Sequence, residues 1–92
     1  MMTRIEKIKI SLADENPEAL FLDGMDDALL GIDEQASIAV YDSSKCLRIL
    51  QSHGMTYHEA KEYYEFNTLG AYVGEYTPIH VRTFDDNDNE ND

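Results

Sequence analysis

The sequence predicts a small α+β domain in which an antiparallel sheet carries an αα-hairpin on one face. Three observations support this prediction: short segments in which apolar and polar residues alternate, two segments with apolar residues at helical spacing, and turn residues between them. A chain of 92 residues can bury one modest core. We expect the order β-β-β-α-α-β over residues 1–84, as a single domain, with residues 85–92 outside it.

Four segments are predicted to be strands. In KIKISL, residues 7–12, apolar and polar residues alternate with a period of two, as in a half-buried strand. ALLGI and SIAVY, residues 28–32 and 37–41, are separated by four residues and predict a hairpin. SIAVY is apolar on both faces, which predicts a central strand. PIHVRTF, residues 78–84, alternates again after an initial proline.

Two helices are predicted between the third and fourth strands. SSKCLRILQSHG, residues 43–54, has apolar residues at helical spacing, with Ser43 or Ser44 as the N-cap and Gly54 as the stop. TYHEAKEYYEFNTLG, residues 56–70, opens with a capping box and ends at a glycine. Residues 13–22 fit either a short helix or a loop. In this second helix, Thr56 and Glu59 form the capping box and Gly70 marks the end. The apolar stripe consists of Ala60, Tyr63, Tyr64 and Phe66.

Charge is the most unusual property of the chain. Nineteen acids against seven bases give a net charge of −12. No Lys or Arg occurs between Lys9 and Lys45, whereas nine Asp or Glu residues do, which predicts an acidic face. Nucleic acid and anionic membranes repel such a chain, so direct binding to either is not expected. The tail DDNDNEND, residues 85–92, has five acids and no apolar residue and is predicted to be disordered.

The remaining composition predicts a cytoplasmic protein. No apolar run approaches the roughly 18 residues that a membrane span requires. The opening MMTRIEKIKI carries charges throughout rather than an apolar signal segment. The single cysteine, Cys46, has no partner for an internal disulfide and fits a reducing compartment. We expect Cys46 to be a core residue, because no local signature pairs it with a histidine.

The stretch FLDGMDDALLGID, residues 21–33, admits three interpretations. The first is a calcium loop that starts at Asp23, which places Asp27 at the fifth position and Glu34 at the twelfth. This loop lacks the oxygen ligand expected at the third position and the glycine expected at the sixth. As an ordinary turn, Asp-Gly chemistry is sufficient. As a binding surface, its acids contact a basic partner. We therefore expect no metal and no cofactor.

Other candidate sites are weaker. His58 and Glu62 share a helix face, but no further metal motif accompanies them, so a solvated face is expected. The two helices do not form a DNA reader, because three glutamates on the second one repel phosphate. A metal-dependent or carboxylate enzyme is the first alternative function, and it requires Asp26, Asp27, Asp42 and Glu75 to converge in one pocket. An oligomeric structural or assembly factor, such as a homodimer, is the second.

Two stretches resemble a family of small bacteriophage-encoded proteins. DGMDDALLG followed by VYD resembles one half of the family pattern, and GMTYHEAKEYYEFNTLGAYVGEYTPI resembles the other, over about residues 22–81. The resemblance implies a phage origin and, since the family has no assigned activity, little chemistry. By position, the motif residues here are Asp23, Gly24, Asp26, Asp27, Gly31, Tyr41, Asp42, Asn67, Gly70, Tyr72, Gly74, Glu75, Thr77 and Pro78.

The leading hypothesis is a non-enzymatic, phage-encoded protein-binding module. It docks its acidic surface into a basic groove of a host or phage protein, such as a defence or nucleic-acid-handling protein. Acids steer the encounter and a tyrosine-containing apolar patch provides affinity. If the groove normally holds nucleic acid, inhibition by charge mimicry follows. The predicted partner-binding residues are Asp23, Asp26, Asp27, Asp33, Glu34, Asp42, Tyr72, Glu75 and Tyr76.

Overall fold

The computed structural model describes residues 1–84, which form three helices and a three-stranded sheet. The α+β class predicted from the sequence is confirmed. The prediction of a disordered tail concerns residues 85–92 and lies outside the described residues. In chain order the elements are α1 (Arg4–Glu15), a 3₁₀ turn (Asp26–Ala28), β1 (Leu29–Asp33), β2 (Ile38–Asp42), α2 (Ser43–Ser52), α3 (Tyr57–Tyr64), a π turn (Glu65–Leu69) and β3 (Ile79–Val81).

The first predicted strand is wrong, because KIKISL lies within helix α1. The helix starts with a capping box. The Thr3 hydroxyl accepts a hydrogen bond from the Glu6 amide at 3.1 Å, and the Glu6 carboxylate accepts one from the Thr3 amide at 2.8 Å. Two of the four free amides at the helix N-terminus are satisfied in this way. These contacts within four residues favour the helix before any sheet partner is available.

Burial along α1 follows the helical period. Leu12 is fully buried, and Ile5 and Ile8 pack against the core, so positions three and four apart share one face. Ile10 would join Ile8 on the inner face of a strand, but it is 57% exposed. The apolar residues of this segment therefore fit both the helical and the strand period, and the capping box and the packing distinguish the two.

The sheet is mixed, with β2 in the centre. β1 and β2 form the predicted antiparallel hairpin, interrupted by a bulge between Leu29 and Gly31. β3 runs parallel to β2, with His80 beside Tyr41, so the prediction of an entirely antiparallel sheet is wrong. The chain between β2 and β3 contains both α2 and α3, and a parallel pair requires a crossover connection of this kind.

Helices α2 and α3 occur where the sequence predicts them, with two corrections. The N-cap of α2 is Asp42 rather than a serine. The Thr56–Glu59 capping box of α3 is confirmed. Within the predicted stripe, Ala60 and Tyr64 are buried, but Tyr63 is 45% exposed and Phe66 is 83% exposed. Phe66 follows the start of the π turn, whose wider spacing rotates later side chains away from the face that α3 buries.

The core lies between the sheet and the three helices. Arg4 on α1 also reaches the bulge in β1, where its guanidinium donates to Leu29 O at 2.9 Å and Leu30 O at 3.3 Å. No helix within residues 1–84 is long and apolar enough to cross a membrane. The buried apolar cluster consists of Leu12, Met25, Ala28, Leu29, Ala39, Tyr41, Cys46, Leu50, Ala60 and Tyr64.

Candidate functional site

The acids predicted to form one surface lie in two groups, at opposite ends of β1. Asp23, Asp26 and Asp27 precede the strand, whereas Asp33 is its last residue and Glu34 follows it. A strand of five residues spans about 13 Å between its first and last Cα atoms, at about 3.3 Å per residue. The structure therefore divides the predicted acidic face into two separate regions.

Asp26, one of the acids of the predicted acidic face, is paired with a basic residue. Lys9 Nζ on α1 lies 2.9 Å from each carboxylate oxygen of Asp26, and 5.4 Å from the centre of the Phe21 ring. Lys9 reaches this position because α1 packs against β1 as a helix. Asp23 and Asp27 are exposed and make no ion pair within residues 1–84.

Asp42 is not a surface residue, although the sequence placed it among the partner-binding acids. Its exposed fraction is 2%. Oδ1 accepts a hydrogen bond from the Ser44 amide at 3.0 Å, and Oδ2 accepts one from the Thr83 hydroxyl at 2.8 Å. The Tyr-Asp pair of the sequence motif is therefore structural: Asp42 caps α2 and binds the chain that leaves β3.

A second acidic region surrounds Asn16, which connects the end of α1 to the β1–β2 turn. Asn16 Nδ2 donates to Ser37 O at 2.8 Å, and Asn16 Oδ1 accepts from the Glu18 amide at 3.2 Å. Because both α1 and the hairpin turn present acids here, their carboxylates share one side of the molecule. We call this region the Asn16 patch, and its members are Asp14, Glu15, Glu18, Asp33, Glu34, Glu75 and Tyr76.

Tyr76 and Glu75 join the Asn16 patch through the chain around Glu18. The Leu20 amide donates to Tyr76 O at 3.4 Å. The negative charges of Glu75 and Glu18 raise the pKa of the Tyr76 hydroxyl, so both carboxylates lie within electrostatic range of it. Tyr72, predicted in the same surface, is 77% exposed.

An apolar groove lies beside the Asn16 patch, with a volume of about 470 Å³. Pockets that hold ligands usually measure about 300–1,000 Å³. Its walls come from the loop of residues 20–25, the ends of α2 and α3, the π turn, parts of residues 71–78, and His80. Leu20, which lines the groove, bonds to Tyr76 of the patch, so groove and patch share a border. The loop is held in place by the buried Tyr41 hydroxyl, which accepts from the Leu22 amide at 2.8 Å.

His80 is the functional candidate that sequence reasoning missed. It lies on β3, lines the groove, and its Nδ1 is hydrogen-bonded to the Tyr64 hydroxyl at 2.5 Å. Its ring packs against Tyr41 and meets the Tyr64 ring edge-on. The sequence contains one indication of this role. His80 lies between the apolar residues of PIHVRTF, and in a strand its side chain faces the opposite side from those of its two neighbours.

Cys46 lies next to Tyr64 in the core, and its thiol is unreactive. Burial, and then the negative charge of Asp42, raise the pKa of its thiol to about 11, so the reactive thiolate is scarce at neutral pH. Burial likewise raises the pKa of the Tyr64 hydroxyl, which stays protonated. The prediction that Cys46 is a core residue is confirmed, since its side chain is fully buried.

We expect His80 to make the folded state less stable as the pH falls below about 6.5, the usual pKa of histidine. Burial lowers the pKa of His80 in the folded state. Below about 6.5 the unfolded chain therefore binds this proton and the folded chain does not, until the pH passes the lower folded value. The free energy of unfolding, measured with urea at pH 7.5 and at pH 5.5, should fall more between these two pH values in the wild type than in His80→Gln. Equal losses would contradict the role of His80.

The carboxylates proposed for an enzyme do not converge. Within residues 1–84, no three side chains of the His, Cys, Asp and Glu types come together in a way that would hold a metal ion. Asp26 pairs with Lys9, and Asp42 is enclosed at the start of α2. His58 and Glu62 are both exposed, with 3.7 Å between Nε2 and Oε2, as on a solvated helix face. The structure therefore provides no observation in favour of the carboxylate-enzyme alternative.

Comparisons with protein families, curated proteins and solved structures found no match to this chain. The fold and the site define a class of protein. It is a small acidic α+β protein, in which a sheet covered by three helices carries an apolar groove next to the acidic Asn16 patch.

Proposed function

We propose that this chain is a non-enzymatic, phage-encoded protein-binding module that docks on a basic surface of a host or phage protein. The observation that carries the proposal is the Asn16 patch. Its six carboxylates make no ion pair with Lys or Arg within residues 1–84. Uncompensated charge of one sign attracts a partner of the opposite sign and raises the rate of encounter.

The position of two patch acids also argues against a role in folding. Asp14 and Glu15 lie in the last turn of α1, which contains no basic residue. The carbonyl end of a helix carries partial negative charge, so acids there oppose the helix dipole. A chain selected for stability alone would place Lys or Arg at these sites. Their presence supports a role in binding.

The Lys and Arg residues lie outside the Asn16 patch, so charge is unevenly distributed over the molecule. Arg4, Lys7 and Lys9 are in the first half of α1, Lys45, Arg48 and Lys61 are on α2 and α3, and Arg82 follows β3. A partner that normally binds nucleic acid has a basic groove of the required charge. Occupation of that groove by the Asn16 patch would inhibit the partner by charge mimicry, with Tyr76 contributing apolar contact area.

The proposal is tested by quantitative pull-down from host lysate, with the double variant Glu15→Lys/Glu34→Lys and the control Asp27→Lys/Glu65→Lys. Both doubles change the net charge equally at exposed positions, but only the first alters the patch. We expect the patch double to lose at least about tenfold in capture, and wild-type capture to weaken with added salt. Equal capture by both doubles, salt-independent capture, or no partner would refute the proposal.

A further inference from the structure

We propose that the groove beside the Asn16 patch binds an apolar side chain of a basic segment in the partner protein. This inference rests on the proposed function and adds the feature of the partner that gives affinity. The occupant is a stretch of polypeptide with an aliphatic or aromatic residue flanked by Lys or Arg. Its apolar residue enters the groove while its basic residues lie against the acids around the rim.

The apolar character of the groove supports the first part of the inference. Leu20, Phe21, Met25 and Pro78 contribute to its lining. At its mouth, Val73 is 66% exposed. Exposed apolar surface that continues into a concavity is typical of binding sites rather than of the remaining surface of a soluble protein.

The charge around the groove selects a basic occupant. Asp23 is part of the lining, and no Lys or Arg of residues 1–84 contributes to it. Glu18 and Glu75 of the Asn16 patch lie beyond the Leu20–Tyr76 hydrogen bond on one side. A second copy of this chain, at a net charge of −12, and the chain's own residues 85–92, with five acids and no base, have the wrong sign.

His80 provides a polar contact inside the groove. Its Nδ1 is occupied by the Tyr64 hydroxyl, and its Nε2 makes no hydrogen bond within residues 1–84. If the Tyr64 O–H donates to Nδ1, the neutral imidazole carries its hydrogen on Nε2. Nε2–H then donates to a main-chain carbonyl of the bound segment, as main-chain hydrogen bonds commonly do in peptide recognition.

The probe is a short synthetic peptide in which leucine alternates with lysine, compared with a leucine–glutamate peptide and a serine–lysine peptide. Binding is followed by the backbone amide spectrum of the full chain. We expect the leucine–lysine peptide to shift the amides of Gly24, Val73 and His80, and the other two to bind at least about tenfold more weakly. If the serine–lysine peptide binds equally and shifts only Glu34 and Glu75, the proposed function survives and the groove inference is overturned.

Matched variants separate the groove from general electrostatics. Val73→Lys and Ile10→Lys each add one positive charge at an exposed apolar position, and only Val73 lines the groove. We expect Val73→Lys to weaken binding of the leucine–lysine peptide at least about fivefold. Ile10→Lys should change the affinity for this peptide by less than about twofold. Equal effects would overturn the inference. So would concentration-dependent self-association of the wild type that shifts the groove amides without peptide, because a second copy would then be the occupant.

Discussion

Asp42→Ala is expected to lower the free energy of unfolding by about 2 to 3 kcal/mol, from the loss of a helix cap and of a buried acceptor. Asp42 is 2% exposed and accepts two hydrogen bonds, from the Ser44 amide and the Thr83 hydroxyl. Alanine leaves both donors without this partner and removes a negative charge from the N-terminus of α2, where the helix dipole favours it. Urea unfolding monitored by circular dichroism measures the loss.

Two control variants separate the contributions of Asp42. Asp42→Asn retains an oxygen that can cap α2, so its loss should be smaller than that of Asp42→Ala. Thr83→Val removes only the hydrogen bond to Oδ2 and should cost less than about 1.5 kcal/mol, because Thr83 is exposed. If Asp42→Ala were no less stable than the wild type, the structural role of Asp42 would be wrong, and the sequence prediction of a binding role would regain support.

Gly70→Ala is expected to cost about 1 to 3 kcal/mol, through overpacking at the end of the π turn. A Cβ added at Gly70 would lie 2.7 Å from the carbonyl oxygen of Glu65, which is backbone and cannot rotate away. The same carbonyl accepts the Gly70 amide at 3.0 Å, so relief of the clash requires a change in this turn. Since the turn contributes Asn67 and Thr68 to the groove, the groove should change shape as well.

Gly31→Ala is the matched control for Gly70→Ala. Gly31 is in β1, and nothing lies within 4 Å of a Cβ built there. We expect this variant to be neutral or up to about 1 kcal/mol more stable, because alanine loses less conformational entropy than glycine in a strand. If Gly70→Ala lowered the free energy of unfolding no more than Gly31→Ala does, the close approach of residue 70 to the Glu65 carbonyl would be contradicted.

Much of the local structure was predictable because its signals lie within a few residues of each other. The Thr56–Glu59 capping box fixed the start of α3, and the four-residue separation of two apolar runs predicted the hairpin. The same kind of reasoning could have found two features that were missed. Thr3 and Glu6 have the spacing of a capping box, and Asp42 immediately precedes a helix, as N-caps do.

The candidate site was less predictable than the fold. Of the nine predicted partner-binding residues, Asp33, Glu34, Glu75 and Tyr76 lie in the Asn16 patch, whereas Asp42 is buried. The charge of a carboxylate can be read from the sequence, but its neutralisation cannot, because Lys9 and Asp26 are 17 positions apart. The groove could not be predicted for the same reason, since its lining comes from segments that are far apart in the chain, from Leu20 to His80.

The sequence alone determined the net charge, the α+β class, the hairpin and the positions of α2 and α3. Turn residues and helix caps act over short distances, so their effects can be read from the sequence. Only the tertiary structure decided which face of the first segment is buried, that β3 is parallel to β2, and that His80 lines a groove. These features depend on contacts between residues far apart in the chain. The physical reason is that burial and strand pairing are properties of the packed molecule, and the same apolar pattern can satisfy more than one packing.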